Sequence, residues 1–485
     1  MDTLFSSLSL LPIIILLVVS LLRGVRFGVY AGLALTIVLF FVWESHLIAL
    51  PAALVAALVD TISILMIVFG ALFLHQHMEQ TGFITRIKAS LATVHHHPGF
   101  QFYFLAFFLT AFFESVAGFG TPGAIVPLLL ISMGFSPILS IVVVLLIDGL
   151  FAITGAIGTP VTAGLAGPLD LSPQQVSHIY LYAAGFMILS GCITLSFIRH
   201  FVKNERPAAA GTHGWKLFFA LAIPFAGLSY FLQELTGVIA SAIMGALSYF
   251  FLFTNRKIDW QPWLPYALLL VLLLLPKLFA PLASFIALPL SFHEIFSSSV
   301  SASLQPLKSP LLPFILASFM ALWLGKSHKI NLKPVLKKTS AVFLVLFPSL
   351  AITRLMLASG NPGTPSMVES MSLLFARTGD LYPLLSPFIG VMGTFITGST
   401  TVSNIIFGPV QFTAAQNLGL THELILAMQL NGASLGNAIC LFNIIAAAAV
   451  AGVENYSAVL NKNILPVLCA ALATSLTGIA LITLL

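Results

Sequence analysis

Charge is the scarcest feature of this 485-residue chain: 7% of its residues are Asp, Glu, Lys or Arg, against 59% hydrophobic, and the mean hydropathy is +1.06. A soluble chain carries about a quarter charged residues, so a water-soluble fold is excluded and a multi-pass membrane protein remains. Cysteine is nearly absent. Cys192, Cys440 and Cys469 lie far apart in apolar stretches, which offers neither a disulfide framework nor a zinc site. The apolar run from Leu8 to Leu22 has no basic n-region before it and no small-x-small cleavage site before Arg23. It is expected to be a first transmembrane helix and not a signal peptide. The net charge of +5 sits in loops, where it reports membrane orientation and not nucleic-acid binding.

The chain is organised around Phe112 to Leu130. Its flanks are apolar enough for a bilayer, yet between them lie Glu114, Ser115, Gly118, Gly120, Thr121 and Pro122. An ionised carboxylate at bilayer depth costs at least a few kcal/mol, so it faces a protein interior or a watery cavity. Gly and Pro interrupt the helix there, and the freed backbone groups need partners, which a bound solute can supply. Gly118, Gly120 and Gly123 also spell the dinucleotide fingerprint, but that motif has meaning only between a strand and a helix. Close helix packing is the plainer role for any one of these glycines; Glu114 beside them makes it an incomplete account.

Basic residues cluster at Arg23/Arg26, Arg86/Lys88, Arg199 to Lys216, Arg256/Lys257 and Lys326 to Lys338, and the positive-inside rule places all five in the cytoplasm. The apolar runs between them then cross with consistent parity, and the serine-rich stretch Ser291 to Ser309 is expected to be an extracellular loop. The segment 376–426 repeats the features of the segment 92–141 at an offset of about 285 residues. Each has an apolar lead-in, a Gly/Ser/Thr break and a second apolar arm, and each is followed by another interrupted helix, 146–161 and 429–443. The expected fold is therefore an all-α polytopic membrane protein of about 12–13 transmembrane segments. Two inverted repeats with broken or re-entrant helices would place the site at their interface. The expected division is N-terminal helices at 1–60, a first repeat at 61–198, scaffold helices at 199–340 and a second repeat at 341–485.

The strings FGALFLHQHMEQTGFITRI (69–87), FFESVAGFGTPGAIVPLLLISMGFSP (112–137), AIGTPV (156–161) and SPFIGVMGTFITGSTTVSNIIFGPVQFTAAQ (386–416) resemble the L-lactate permease family, carriers of lactate and related 2-hydroxy monocarboxylates. The likeness extends more weakly over nearly the whole chain. It implies one site arm of Glu114, Gly118, Gly120 and Thr121, and a second of Gly398, Ser399, Thr401, Ser403 and Asn404. Thr400 stands where the family often carries an Asp, which leaves the coupling ion open. Arg354 stands where neutral residues are common, which leaves the substrate open.

The expected function is a plasma-membrane secondary carrier that takes up such monocarboxylates, with a proton as the coupling cation. Backbone N–H groups at the breaks and the side chains of Ser399, Thr401, Ser403 and Asn404 would hold the carboxylate. Ser115, Gln429 and Asn431 are candidates for the 2-hydroxyl by polarity. Glu114 is the expected proton carrier, with Asp148 a second candidate of the same kind; a structural hydrogen bond is the alternative role of Glu114. Arg354 can simply snorkel to the interface. The rivals are a sodium-coupled carrier of another organic anion, a passive channel and an intramembrane enzyme. The enzyme would need a nucleophile–base pair or a metal set, and no cofactor motif is present. His95, His96 and His97 lack a carboxylate or cysteine at ligand spacing and read as a solvated turn, not a metal site. Gly432, Ser434 and Gly436 match the nucleophile elbow by chance, since that motif requires a strand-to-helix turn. Oligomeric state is left open.

Overall fold

The helices start where local chemistry tells them to. Pro98, Pro137 and Pro173 each occupy the first helical turn, where a missing N–H costs nothing. The residue before each one supplies the cap. His97 accepts from Gly99 N–H, Ser136 accepts from Leu139 N–H, and Ser172 forms a reciprocal capping box with Gln175. The computed structural model describes residues 2–484 apart from Glu44, 92–93, Phe119, Ala287, Lys308, 328–329, Asn331 and 362–363. The first two residues of the earlier repeat segment, Phe119 of the central string, Lys308 of the serine-rich loop and part of the fifth basic loop therefore lie outside the described residues.

The molecule is almost wholly helical, as expected. Among the described residues, eight helices are long and apolar enough to cross a membrane, from Ala49–Gln80 to Tyr456–Leu484, and of six shorter apolar helices two precede them and four lie between them. The first expected span is two helices, Asp2–Ser9 and Leu11–Arg23. The serine-rich loop contains a small antiparallel hairpin, Leu290–Phe292 with Ala302–Leu304. The helix after the lysine loop begins at Lys333, ahead of its apolar run, because Pro334 opens it.

Contacts gather four of the five basic clusters, all but Arg23/Arg26, on one face. Arg86 donates to both oxygens of Asp259, at 2.7 and 2.9 Å. The N–H groups of Thr254 and Asn255 reach Val94 O at 3.1 Å. Gln80 Nε2 meets Ser327 Oγ at 3.0 Å. Both ends of the helical hairpin formed by Pro98–Val116 and Thr121–Ser132 come to this face: Gly99 packs on the backbone of Ala209, and Arg206 donates to Met133 O at 3.0 Å. The opposite face holds the cap of Pro173–Glu205, where Gln233 Nε2 reaches Ser177 Oγ at 2.7 Å, and the Ser45–Gly360 contact at 3.0 Å.

Three apolar clusters form among the described residues: a small one joins Ala52, Ala56 and Val59 to Ile295, Val300 and Ala302 of the serine-rich loop, and two fill the interior. The larger surrounds the first hairpin and the Pro137–Phe151 helix, with Phe102, Phe107, Val143 and Phe151 fully buried. The smaller joins the N-terminal helices and Lys333–Leu357 to Thr400–Asn417, through Val29, Phe40, Leu350 and Ile405.

Candidate functional site

Four helices break inside the protein, and the breaks meet. The first is the tip of the hairpin between Pro98–Val116 and Thr121–Ser132. Gly118 (φ 57°) and Gly120 (φ 75°) turn the chain there in the left-handed region, which glycine enters without a Cβ penalty. The second follows Pro137–Phe151. A 3-10 turn at Ala152–Thr154 leads into Ala156, Ile157 and Gly158, all with positive φ. The third is the tip between Tyr382–Thr397 and Thr400–Asn417, where Gly398 (φ 75°) is followed by the cap Ser399, whose Oγ accepts from Val402 N–H at 3.3 Å. The fourth separates His422–Gly436 from Leu441–Ala451, where Asn443 Nδ2 donates to Asn437 O at 3.3 Å.

Close approaches knit these breaks together. A Cβ on Gly118 would lie 2.9 Å from Ala156 Cβ, so the first tip rests on the first broken helix. Gly120 and Gly123 face Asn443 and Ala447 of the second broken helix. Gly398 faces Cys440 and Phe442 of that same helix. Across to the first broken helix, Asn404 Nδ2 donates to Pro160 O at 2.9 Å and Thr401 Oγ1 to Thr159 Oγ1 at 3.4 Å.

Each half of this convergence has its own chemistry. On one side Glu114 and Asp148, 4% and 2% exposed, come within hydrogen-bond reach of each other. Among the described residues, Glu114 Oε2 and Asp148 Oδ1 have no hydrogen-bond partner. Gly155 presses against Glu114 Oε1 so closely that a Cβ there would collide with it. On the other side runs a buried polar chain. Tyr382 OH donates to Gln411 Oε1 at 2.6 Å, and Gln411 Nε2 to Gln429 Oε1 at 2.9 Å. Gln429 Nε2 reaches Ser403 Oγ and Asn404 Oδ1, both at 3.3 Å. The segment 155–160 is the bridge, with the carboxyl pair at its start and Asn404 at its end.

Of the residues expected at the site, Glu114, Gly118, Gly120, Thr121, Asp148, Gly398, Ser399, Thr401, Ser403, Asn404 and Gln429 lie on these elements. Ser115 is held against the second break, and Asn431 faces elsewhere. Ser115 Oγ is 3.2 Å from Thr154 Oγ1, and both are covered by Gly237. Asn431 Nδ2 donates to Ser190 Oγ at 3.1 Å and Thr474 Oγ1 at 2.7 Å, which ties three long helices together. Arg354 is paired: its Nε donates to Asp60 Oδ2 at 2.7 Å. Gly155, Thr159, Tyr382 and Gln411 were not foreseen at the site. Gln411 carried a signal, an amide in the apolar stretch after Asn404.

The histidine turn is structured. His95 Nδ1 accepts from His97 N–H at 2.8 Å, and the His97 ring lies tilted against His213, with centroids 4.6 Å apart. Burial, then the neighbouring His97 and His96, holds His95 below its ordinary value. Among the described residues no group of three or more His, Cys, Asp or Glu is placed to hold a metal ion.

A helical, multi-pass fold whose breaks meet at buried polar groups defines a membrane protein of the transporter kind, set in the cell membrane. The chain belongs to the L-lactate permease family, whose model matches residues 2–267 and 232–485. It is 26% identical to the Putative L-lactate permease of Haemophilus influenzae over 91% of each chain. It is 28% identical to the L-lactate permease of Streptococcus iniae, over 85% of this chain and 91% of that one. It is 25% identical to the Glycolate permease GlcA of Escherichia coli, over 80% of this chain and 78% of that one.

Proposed function

We propose that this protein is a secondary active carrier that takes up L-lactate or a related 2-hydroxy monocarboxylate by proton symport. The observation that carries this reading is the meeting of four helix breaks around segment 155–160, with a carboxyl pair at one end and Asn404 at the other. Helix N-termini at Thr121, Thr400 and Leu441 open into that region. Free N–H groups at such ends, with their positive dipole, suit a carboxylate. The Asn404 amide, with one N–H held by Pro160 O, adds a second N–H on the same side. Glu114 and Asp148 supply the proton-bearing group, since an intramembrane carboxyl without a cationic partner marks a coupling site.

Alternating access follows from symmetry. Residues 61–198 and 341–485 form two repeats of opposite sense, one hairpin entering from each side of the membrane. Rearrangement of one repeat against the other would expose the shared site to each side in turn. Reconstituted protein should show saturable counterflow with a panel of 2-hydroxy acids and accumulate one of them against its gradient when the outside is acidic. Flux that neither saturates nor accumulates would mean a channel. A second reading is favoured by the unpartnered oxygens of Glu114 and Asp148, which can hold a sodium ion in place of a proton. Uptake driven by sodium at constant pH would select it.

A further inference from the structure

The Lys333–Leu357 and Ala49–Gln80 helices carry a charge pair that the site above does not use. Arg354, less than one turn from the end of its helix, donates from Nε to Oδ2 of Asp60 at 2.7 Å. Asp60 lies about three turns inside Ala49–Gln80, so the pair is sunk below the face opposite the basic loops. The two side chains are 15% and 17% exposed. Ala57 and Ile64, one turn either side of Asp60, and Ala351, one turn before Arg354, share an apolar cluster with Ile405.

Stability is a poor reason for such a pair, because desolvating two ions offsets their attraction. Its position supplies a better one. Thr353, the neighbour of Arg354, donates from Oγ1 to Ile405 O at 3.1 Å, and Ile405 is the residue after Asn404. Arg354 is thus held beside the helix that carries the second site arm. A guanidinium has five N–H donors in a planar fork. Among the described residues Asp60 is its only hydrogen-bond partner, through Nε. The two terminal nitrogens remain for a guest, and a carboxylate is the guest whose geometry they match.

We propose that Arg354 is a docking residue for the substrate carboxylate on its way to the buried site, and that Asp60 is a positioning residue. Asp60 aims the fork and, by its own charge, keeps the grip on the anion weak enough for release. Entry sites in conducting proteins need that balance of binding and leaving. The proposal rests on the carrier reading above.

The two partners act on the anion with opposite sign, which gives the test. KM and kcat are measured for uptake from this face in proteoliposomes, with L-lactate or whichever monocarboxylate the wild type carries. Arg354→Gln should raise KM roughly tenfold or more, the loss of a charged hydrogen bond. Asp60→Asn should lower KM and also lower kcat, because release slows. Arg354→Lys, which keeps the charge without the fork, should fall between wild type and Arg354→Gln. Where a single variant fails to fold, the double variant Asp60→Asn/Arg354→Gln, which leaves no unpaired buried charge, should still show the raised KM. A double variant with wild-type KM, or single variants that shift KM in the same direction, would overturn the proposal. Wild-type flux alone decides the functional reading, and the ratio of variant to wild-type KM decides this one.

Discussion

At the scale of single residues, the buried carboxyls and amides divide the work between coupling and recognition. Glutamine keeps the size and hydrogen bonding of a protonated glutamate but cannot release a proton. Glu114→Gln should therefore still exchange substrate for substrate in counterflow, while uptake driven by a pH gradient is lost. Both assays belong in the same vesicles, with folded protein quantified. Intact pH-driven accumulation would move the coupling role to Asp148 or to a bound sodium ion. On the recognition side, Asn404→Ala removes the amide that holds Pro160 O at 2.9 Å, and Thr121→Ala removes a hydroxyl at the first tip. Each should weaken carboxylate binding roughly ten- to a hundredfold, the worth of a hydrogen bond to a charged group, read by titration of the purified protein. Normal affinity in well-folded variants would take both residues out of the site.

Glu114 was legible in the sequence because an isolated acid in an apolar frame contradicts its surroundings. Asn431 looks the same in sequence, yet its partners, Ser190 and Thr474, lie on elements 43 or more residues away. A polar residue that aims at a substrate and one that ties helices together differ only in what faces them. Asp60 was missed for the same reason, since its partner lies 294 residues further on.

At the scale of elements, the breaks are held open by contact as much as by local propensity. Gly-x-Gly-Thr-Pro and Gly-Ser-Thr-Thr announce the two hairpin tips from composition alone. The break at 155–158 is less obvious, because Ala156 and Ile157 are ordinary helix residues that adopt positive φ here. What holds them is the tip at Gly118 on one side and Glu234 with Tyr180 on the other, both packed against this segment. Gly118→Ala puts a Cβ into a left-handed backbone, worth about 1–2 kcal/mol, and also against Ala156. Gly155→Ala drives a methyl into the Glu114 carboxyl. Both variants should lose transport, and Gly118→Ala should also melt at lower temperature. Gly185 is the control, because nothing lies within 4 Å of a Cβ placed there. Gly185→Ala should transport normally and be as stable as wild type or slightly more so, given the better helix propensity of alanine. Equal behaviour of all three would mean that the breaks tolerate side chains and that their close contacts are incidental.

At the scale of the whole molecule, the question is which face looks into the cytoplasm and whether the two halves are opposed. Parity between basic loops predicted from sequence that residues near 86, 210, 256 and 326 share a face, and direct contacts join their surroundings: Arg86 to Asp259, Val94 to Thr254, Gly99 to Ala209, Gln80 to Ser327. The first hairpin has both ends on this face. The second has its end at Asn417 bonded to Ser372 at 3.0 Å, in the segment that follows Ser359 and Gly360 on the other face. The positive-inside rule predicts the absolute orientation, with the basic face inward. Single cysteines introduced from Lys326 to Lys338 should react with an impermeant maleimide only when the cytoplasmic side is exposed, and cysteines from Ser297 to Ser303 only from outside. The background must first be cleared of Cys192, Cys440 and Cys469, of which Cys440 is buried and the others half-buried. A cysteine near Ser136, at the turn after the first hairpin, should label from inside, and one near Thr421, after the second, from outside. That last pair carries the inversion itself, because the two turns occupy equivalent places in the two halves. Labelling of both from one side would leave two parallel hairpins, and rearrangement of one half against the other could no longer exchange the inner and outer openings of a shared site.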